Sequence, residues 1–109
     1  MRFLTFLFLA FLASVIAYEV TAQTGLKILQ AQADKNNPDA QTKLGDLYHK
    51  GQDVKKDELA AATWWLKAAE QGQQQAQINL SNLYATGGEN FPQIYDLAYF
   101  WRKIKALFC

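Results

Sequence analysis

Few side chains in this 109-residue sequence have the types and spacing that catalysis requires. Downstream of residue 22 the chain has one serine, Ser81, and one histidine, His49, and its only cysteine, Cys109, is the last residue. A Ser-His-Asp or Cys-His arrangement needs a base and an orienting carboxylate beside the nucleophile, and these residues supply almost no material for one. A metal site needs several converging ligands, which one histidine among scattered carboxylates does not indicate. The sequence therefore predicts a protein that is not an enzyme and that uses no metal or cofactor.

A row of polar side chains along one predicted helix is a stronger candidate for a functional surface. Within residues 38–50 these side chains recur every three or four positions, opposite the apolar stripe, so they share one helix face. The row consists of Asp39, Thr42, Asp46, His49 and Lys50. The positions 36 residues later carry Gln75, Ile78 and Asn82, and an apolar Ile78 in an exposed row favours contact with a partner. The alternative is the solvated face that any surface helix presents.

Three further features have simpler structural explanations. Trp64, Trp65 and Trp101 could stack on a glycan, but their helical spacing predicts core positions. The pair Gly87-Gly88 falls in a linker and does not match a phosphate-binding loop. Eleven Lys and Arg residues balance ten Asp and Glu residues, which argues against nucleic acid as a partner, because that requires a basic face.

An internal repeat of 36 residues organises the chain. When the sequence is shifted by 36 positions, identical residues align along most of the central region and the C-terminal region. The identical pairs include Ala40 and Ala76, Gln41 and Gln77, Leu44 and Leu80, Leu47 and Leu83, Tyr48 and Tyr84, Gly51 and Gly87, Ala62 and Ala98, Trp65 and Trp101. A fixed period of this length is typical of solenoids built from one stacked supersecondary unit.

Capping signals divide the first repeat, residues 38–72, into two helices. Asn37 is a good N-cap residue, and Pro38 suits the first helical position, where its missing N–H costs nothing. Gly51 is a suitable left-handed residue to end this helix. Asp57 then predicts the N-cap of a second helix that continues to Gln71.

The flanking segments repeat this unit in full and in part. Residues 73–109 form a second repeat with a C-terminal helix, and we predict its helices over residues 75–86 and about 92–108. The linker before the last helix lacks an equivalent of Asp57, which predicts a less regular helix start. Residues 23–37 align with the second helix of a repeat, so we predict a half-repeat that covers the N-terminal end of the stack.

The first 22 residues have the pattern of a secretory signal. Arg2 precedes an uncharged apolar run, and Val20-Thr21-Ala22 supplies small residues for cleavage before Gln23. The alternative is an uncleaved anchor, but an apolar run of about 15 residues is shorter than the ~20 needed to cross a bilayer. We therefore predict a signal peptide over residues 1–22 and only transient contact with the membrane.

The repeat also resembles a known family. The residues that carry the resemblance are Ala40, Leu44, Gly45, Tyr48, Gly51, Val54, Asp57, Ala61, Trp64, Ala68, Ala69 and Gly72. This pattern is similar to the Sel-one-like repeat (SLR) family, a relative of the tetratricopeptide repeat, strongly over residues 39–72 and less so over residues 75–106. Asp53 departs from the pattern, because the family usually has a glycine there. The resemblance implies an all-α fold, a short α/α superhelical solenoid of helix-turn-helix repeats.

The resemblance also implies a function for the polar row. In such stacks this helix face lines a concave groove that holds a partner segment, so the candidate groove residues are Asp39, Thr42, Asp46, His49, Lys50, Gln75, Ile78 and Asn82. We predict an exported, non-enzymatic interaction or adaptor module, periplasmic or secreted from a bacterial cell, with a peptide or protein partner.

Two alternatives remain open at this point. Cysteine-rich relatives in the family are associated with binding or hydrolysing β-lactam and cell-wall-like ligands, although those relatives fasten each repeat with a cysteine pair that this chain lacks. The other alternative is a remnant of a longer array with no independent role.

The end of the chain is unusually apolar for the last helix of a solenoid. A terminal repeat normally has a polar outer side, because no further repeat covers it. One helix cannot bury all of the apolar residues here against a single neighbour. We therefore predict a homodimer through the C-terminal helix, with Leu107, Phe108 and Cys109 at the contact and an intermolecular Cys109 disulfide.

Overall fold

The structure, a computed structural model, describes residues 2–88 and 90–108, and the side chains of residues 4–88 and 90–104. The described residues form five α-helices: α1 (Arg2–Asp34), α2 (Pro38–Lys50), α3 (Glu58–Glu70), α4 (Gln74–Thr86) and α5 (Tyr95–Phe108). Each helix packs on the next along the chain, which gives the stacked helical hairpins of a solenoid. Cys109 lies outside the described residues, as do the side chains of Leu107 and Phe108.

The capping residues start and end the helices as the sequence predicts. The side chain of Asn37 accepts a hydrogen bond from the Ala40 amide at 3.1 Å, and Asp57 accepts one from the Ala60 amide at 3.0 Å. Gly51 ends α2 with φ at +70°, in the left-handed region that glycine favours. Asp53 also has a positive φ of +63°, a backbone conformation that suits the glycine that the resemblance implies at this position.

The last helix begins later than predicted, at Tyr95. The preceding linker instead forms an isolated bridge between Gly88 and Phe91, and the Ile94 amide donates to the carbonyl of Tyr84 at 2.7 Å. The backbone groups before Tyr95 are therefore used in a turn, which agrees with the predicted irregular start.

Helix α1 differs from the prediction because it is one continuous helix. We expected separate segments before and after Gln23, but neither proline nor a run of turn residues interrupts the helix between Arg2 and Asp34. Helix α1 is long and apolar enough to cross a membrane. A signal sequence near the N-terminus meets the same criteria of length and composition, so this finding fits both an anchor and a signal peptide. Its C-terminal part packs on α2 through Leu26, Leu29 and Ala33. This part of α1 therefore occupies the place of the predicted half-repeat.

The core repeats the same contacts in successive layers. Leu44 and Leu80, which are 36 residues apart, are both fully buried. The buried side chain of Gln41 donates from Nε2 to the carbonyl of Ala33 at 3.2 Å, and Gln77 donates to Ala69 at 3.1 Å. The same amide-to-carbonyl bond thus links each first helix to the helix before it.

Three apolar side chains of the helices are less buried than a core position requires, and one of them, Trp64, was predicted to be in the core. Ile28 and Leu59 are 55% and 67% exposed, so both face solvent. Trp65 and Trp101 are buried as predicted, whereas Trp64 is only half-buried and has the Lys67 ammonium 4.5 Å from its ring centre. The helical period assigns more apolar residues to the buried face than the neighbouring helices actually cover, because a helix buries only the side chains that a neighbour contacts.

Candidate binding groove

A groove runs between α2 and α4, the first helices of the two repeats. It consists of two adjoining cavities, of about 370 Å³ and 300 Å³, that share Asp46 and Gln75 in their walls. We call it the α2–α4 groove, and it is lined by Asp39, Thr42, Lys43, Asp46, His49, Lys50, Trp65, Gln73, Gln75, Asn79, Asn82, Leu83 and Thr86. Trp65 and Leu83 are buried and form its apolar floor, while the walls are polar.

Asp46 is the centre of a hydrogen-bond network that joins the two walls to the floor. Its Oδ1 accepts from the Trp65 indole Nε1 at 3.1 Å and from Asn79 Nδ2 at 3.0 Å. Asn79 Oδ1 in turn accepts from Gln75 Nε2 at 2.9 Å. The same indole N–H also lies 3.2 Å from the carbonyl oxygen of Thr42. The network fixes the separation of α2 and α4, so the groove is preformed.

The pKa of Asp46 is raised above the ordinary aspartate value. Burial is the largest cause, because it disfavours the charged form, and the hydrogen bond from Trp65 and the charge of Lys50 offset it only in part. The folded state therefore holds this proton more tightly than the unfolded state does. This contribution to stability is fully present below about pH 4, the ordinary aspartate pKa, and is lost as the pH rises through the higher folded pKa.

We expect Asp46→Asn to be no less stable than the wild type at neutral pH. The asparagine Oδ1 can accept the same two hydrogen bonds, and the cost of a half-buried charge disappears. Relative to wild type, the variant should gain stability as the pH rises from about 4 towards 7. Thermal melting of both proteins across this range is the measurement. A constant difference between them at all pH values would contradict the burial argument.

His49 closes one end of the groove through a contact with a buried carboxylate. Its Nδ1 lies 2.8 Å from Glu58 Oε2, and its ring centre is 5.3 Å from that of Trp65. Glu58 is almost fully buried, and Lys56 Nζ approaches its other oxygen at 3.7 Å. Nearly half of the His49 side chain remains exposed, at 45%. The contact with Glu58 thus fixes the orientation of the His49 ring, while the exposed part of the side chain lines the groove.

The groove contains all but one of the residues predicted for it. Asp39, Thr42, Asp46, His49, Lys50, Gln75 and Asn82 line it. Thr42 was expected on an exposed face but is buried, and its hydroxyl donates to the Pro38 carbonyl at 2.8 Å. The prediction for Ile78 is wrong in two respects, since it is half-buried and it lines a different cavity, beside Arg102.

Sequence reasoning missed two groove residues that the network depends on. Asn79 was not selected, although its spacing of four residues from Gln75 is a signal for a side-chain hydrogen bond on one helix face. The role of Trp65 in the groove floor was also missed, because its helical spacing indicates only a core position. A buried indole N–H usually donates a hydrogen bond, so a tryptophan predicted to be in the core also predicts a polar acceptor next to it.

The chemistry available in the groove is hydrogen bonding and charge pairing. Amide side chains offer donors and acceptors together, and the walls carry both carboxylates and ammonium groups. In the part of the chain that the structure describes, no three His, Cys, Asp or Glu side chains are grouped as a metal site would require. The fold and this groove define an α-helical repeat protein with a preformed polar groove.

Comparison with known proteins gives the family. The Sel1 repeat model matches residues 38–73 and 74–101, and the chain belongs to this family. The fold is similar to that of a protective antigen with an SLR fold from uropathogenic Escherichia coli, at 30% identity and a TM-score of 0.72 over 75% of this chain and 18% of that one. A Sel1 repeat protein from Oxalobacter formigenes gives 32% identity and a TM-score of 0.71 over 76% of this chain and 63% of that one.

A curated relative comes from a plant. The ERAD-associated E3 ubiquitin-protein ligase component HRD3A of Arabidopsis thaliana is 36% identical over 62 residues, or 56% of this chain. The chain spans only 9% of the length of that relative.

Proposed function

We propose that this protein is an exported, non-enzymatic adaptor that binds a peptide segment of a partner protein in the α2–α4 groove. The observation that carries the proposal is the network from Gln75 through Asn79 and Asp46 to Trp65. It holds polar groups of two helices at a fixed separation over an apolar floor. A preformed site loses little conformational freedom on binding, so its contacts contribute more fully to affinity.

The size and chemistry of the groove suit an extended peptide. The α2 wall from Asp39 to Lys50 is about 16 Å long at the helical rise of about 1.5 Å per residue. An extended chain rises about 3.3 Å per residue, so roughly five residues fit along it. Amide side chains such as Asn82 can pair with both the N–H and the C=O groups of such a segment.

Family membership supports a protein partner. Sel1 repeats typically act in protein–protein interaction, and the Arabidopsis relative is itself a component of a ubiquitin ligase. The export part of the proposal rests on the apolar N-terminal part of α1 and on the small residues before Gln23. N-terminal sequencing of the exported chain tests that part, and recovery of intact Met1 in the membrane fraction would contradict it.

The groove is tested with the double variant Lys50→Ala/Asn82→Ala. Both side chains are exposed and line the groove, so the loss of two polar contacts should weaken partner binding roughly tenfold. Stability should stay within about 0.5 kcal/mol, the range for surface substitutions. Asp46→Ala and His49→Ala are less suitable, because they would leave Trp65 Nε1 and the buried Glu58 without these partners.

The measurement begins with affinity capture, using the chain from residue 23 as bait, from the exported fraction of the source cells. The affinity of the identified partner is then compared for wild type and variants by calorimetry. Gln32→Ala/Lys35→Ala is a matched control, because it also removes one amide and one ammonium group, at exposed positions away from the groove. Equal affinity of the groove variant and the control would place the binding site elsewhere.

A further inference from the structure

The outward face of α5 carries a stripe of four residues with an aromatic centre. Asp96, Tyr99, Phe100 and Lys103 occupy positions i, i+3, i+4 and i+7, so they lie on one side of the helix. Tyr99 is 63% exposed and Phe100 is 49% exposed, while Ala98 and Trp101 occupy the buried side. We call these four residues the α5 stripe.

The equivalent position in the first repeat shows that this exposure is not required by the fold. Thr63, which aligns with Tyr99, is exposed and polar, as expected for a solvated helix face. Trp64 aligns with Phe100 but packs against the cluster of Ala33, Ala40 and Leu44. The second repeat therefore exposes two aromatic rings on this face. At the same positions the first repeat exposes a threonine and packs its tryptophan against the preceding helices. Contiguous exposed apolar groups of this kind mark contact surfaces.

The charges at the two ends of the stripe are opposite, which decides what can cover it. Asp96 lies three residues before Tyr99, and Lys103 lies three residues after Phe100. The stripe is therefore self-complementary under a twofold axis that passes between Tyr99 and Phe100. Two antiparallel copies of α5 would place each Asp96 opposite Lys103 of the partner copy, and each Tyr99 opposite Phe100 of the partner copy.

We propose that two copies of this protein pair through antiparallel α5 helices. The aromatic rings form the dry centre of the contact, and the two Asp96–Lys103 pairs fix its orientation at the rim. Lys103 Nζ already lies 5.7 Å from the ring centre of Tyr99, so the cation stands at the end of the stripe in the single chain. A parallel arrangement is disfavoured, because it would bring Asp96 against Asp96 and Lys103 against Lys103.

This pairing is separate from the peptide-binding proposal. The described residues that line the α2–α4 groove belong to α2, α3, α4 and the turn before α4, and none belongs to α5. A dimer would therefore present two open grooves to one partner molecule. The pairing also does not depend on Cys109 and does not account for the predicted Cys109 disulfide, because Cys109 follows Phe100 by nine residues and an antiparallel pair directs the two C-termini away from each other.

The test is the self-association of the chain from residue 23, measured by sedimentation equilibrium in reducing buffer. Asp96→Lys and Lys103→Asp each place like charges opposite one another twice, and each should weaken dimerisation about tenfold or more. The double variant Asp96→Lys/Lys103→Asp should restore it, because the two charges have only changed places. An equimolar mixture of the two single variants should form heterodimers.

Lys67→Asp is the matched control, since Lys67 holds the same repeat position on α3, outside the α5 stripe. It should leave the dimerisation constant unchanged, and circular dichroism should show that every variant is folded. A wild type that stays monomeric at its highest soluble concentration would overturn the proposal, as would a dimer that withstands both single charge reversals. A monomer that instead sediments with lipid vesicles would assign the stripe to a membrane surface.

Discussion

Replacement of Trp65 with alanine is expected to lower the free energy of unfolding by about 3 to 5 kcal/mol. Trp65 is 3% exposed and belongs to the core cluster that joins α3, α4 and α5. The substitution leaves a cavity the size of an indole and removes the N–H donor shared by Asp46 and the Thr42 carbonyl. The half-buried carboxylate would then lose its contact with the core. Chemical denaturation of wild type and variant measures the loss.

Trp64→Ala provides the control for this experiment. The residue type and helix are the same, but Trp64 is only half-buried, so its removal should cost about 1 to 2 kcal/mol. Since small domains of this kind have only about 5 to 15 kcal/mol in total, the two variants should be well separated in denaturant midpoint. If both variants lost the same free energy of unfolding, Trp65 would not be the more deeply buried of the two tryptophans, which would contradict its place in the floor of the groove.

Gly45→Val is expected to destabilise the fold by about 3 kcal/mol, through overpacking rather than through a cavity. A Cβ atom on Gly45 would lie 2.5 Å from Trp65 Nε1 and closer still to Cδ1. The indole cannot move aside easily, because it is buried and two hydrogen bonds hold its N–H. The glycine therefore permits the close approach of α2 and α3 on which the groove floor depends.

The matched control for this variant is Gly25→Val in α1. A Cβ atom at Gly25 meets nothing within 4 Å, so the same substitution should change stability by no more than about 0.5 kcal/mol. Intrinsic tryptophan fluorescence of Gly45→Val should also shift, since the indole environment changes. A Gly45→Val protein with wild-type stability and fluorescence would show that the indole lies elsewhere.

Local sequence signals predicted most of the helices correctly. Asn37, Asp57 and Gly51 mark their helix ends because each acts on backbone groups within a few residues of itself. The repeat period then implied that equivalent residues have equivalent surroundings, as Leu44 and Leu80 do. The helix starts at Gln74 and Tyr95 differ from the expected positions, because a side-chain cap from Gln73 and a turn hydrogen bond from Ile94 take precedence there.

The candidate site was predictable as a face but not as a set of contacts. Periodicity placed Asp46 and His49 on one side of α2, since residues three apart share a helix face. It could not place Ile78 correctly, because the same signal allows a wide sector of the helix surface, and only the neighbouring helix determines which edge is open.

The sequence alone determined the repeat, the helical hairpins and the family, because these follow from local capping and from a regular period. The tertiary structure alone decided which polar groups meet. Asp46 is separated in sequence from Trp65 by 19 positions and from Asn79 by 33. Its hydrogen bonds to both form only because α2, α3 and α4 pack closely together. That packing is possible because Gly45 has no side chain, and no periodic pattern shows which residue lies opposite it. Helix faces are a property of one segment, whereas a groove is a property of the space between two.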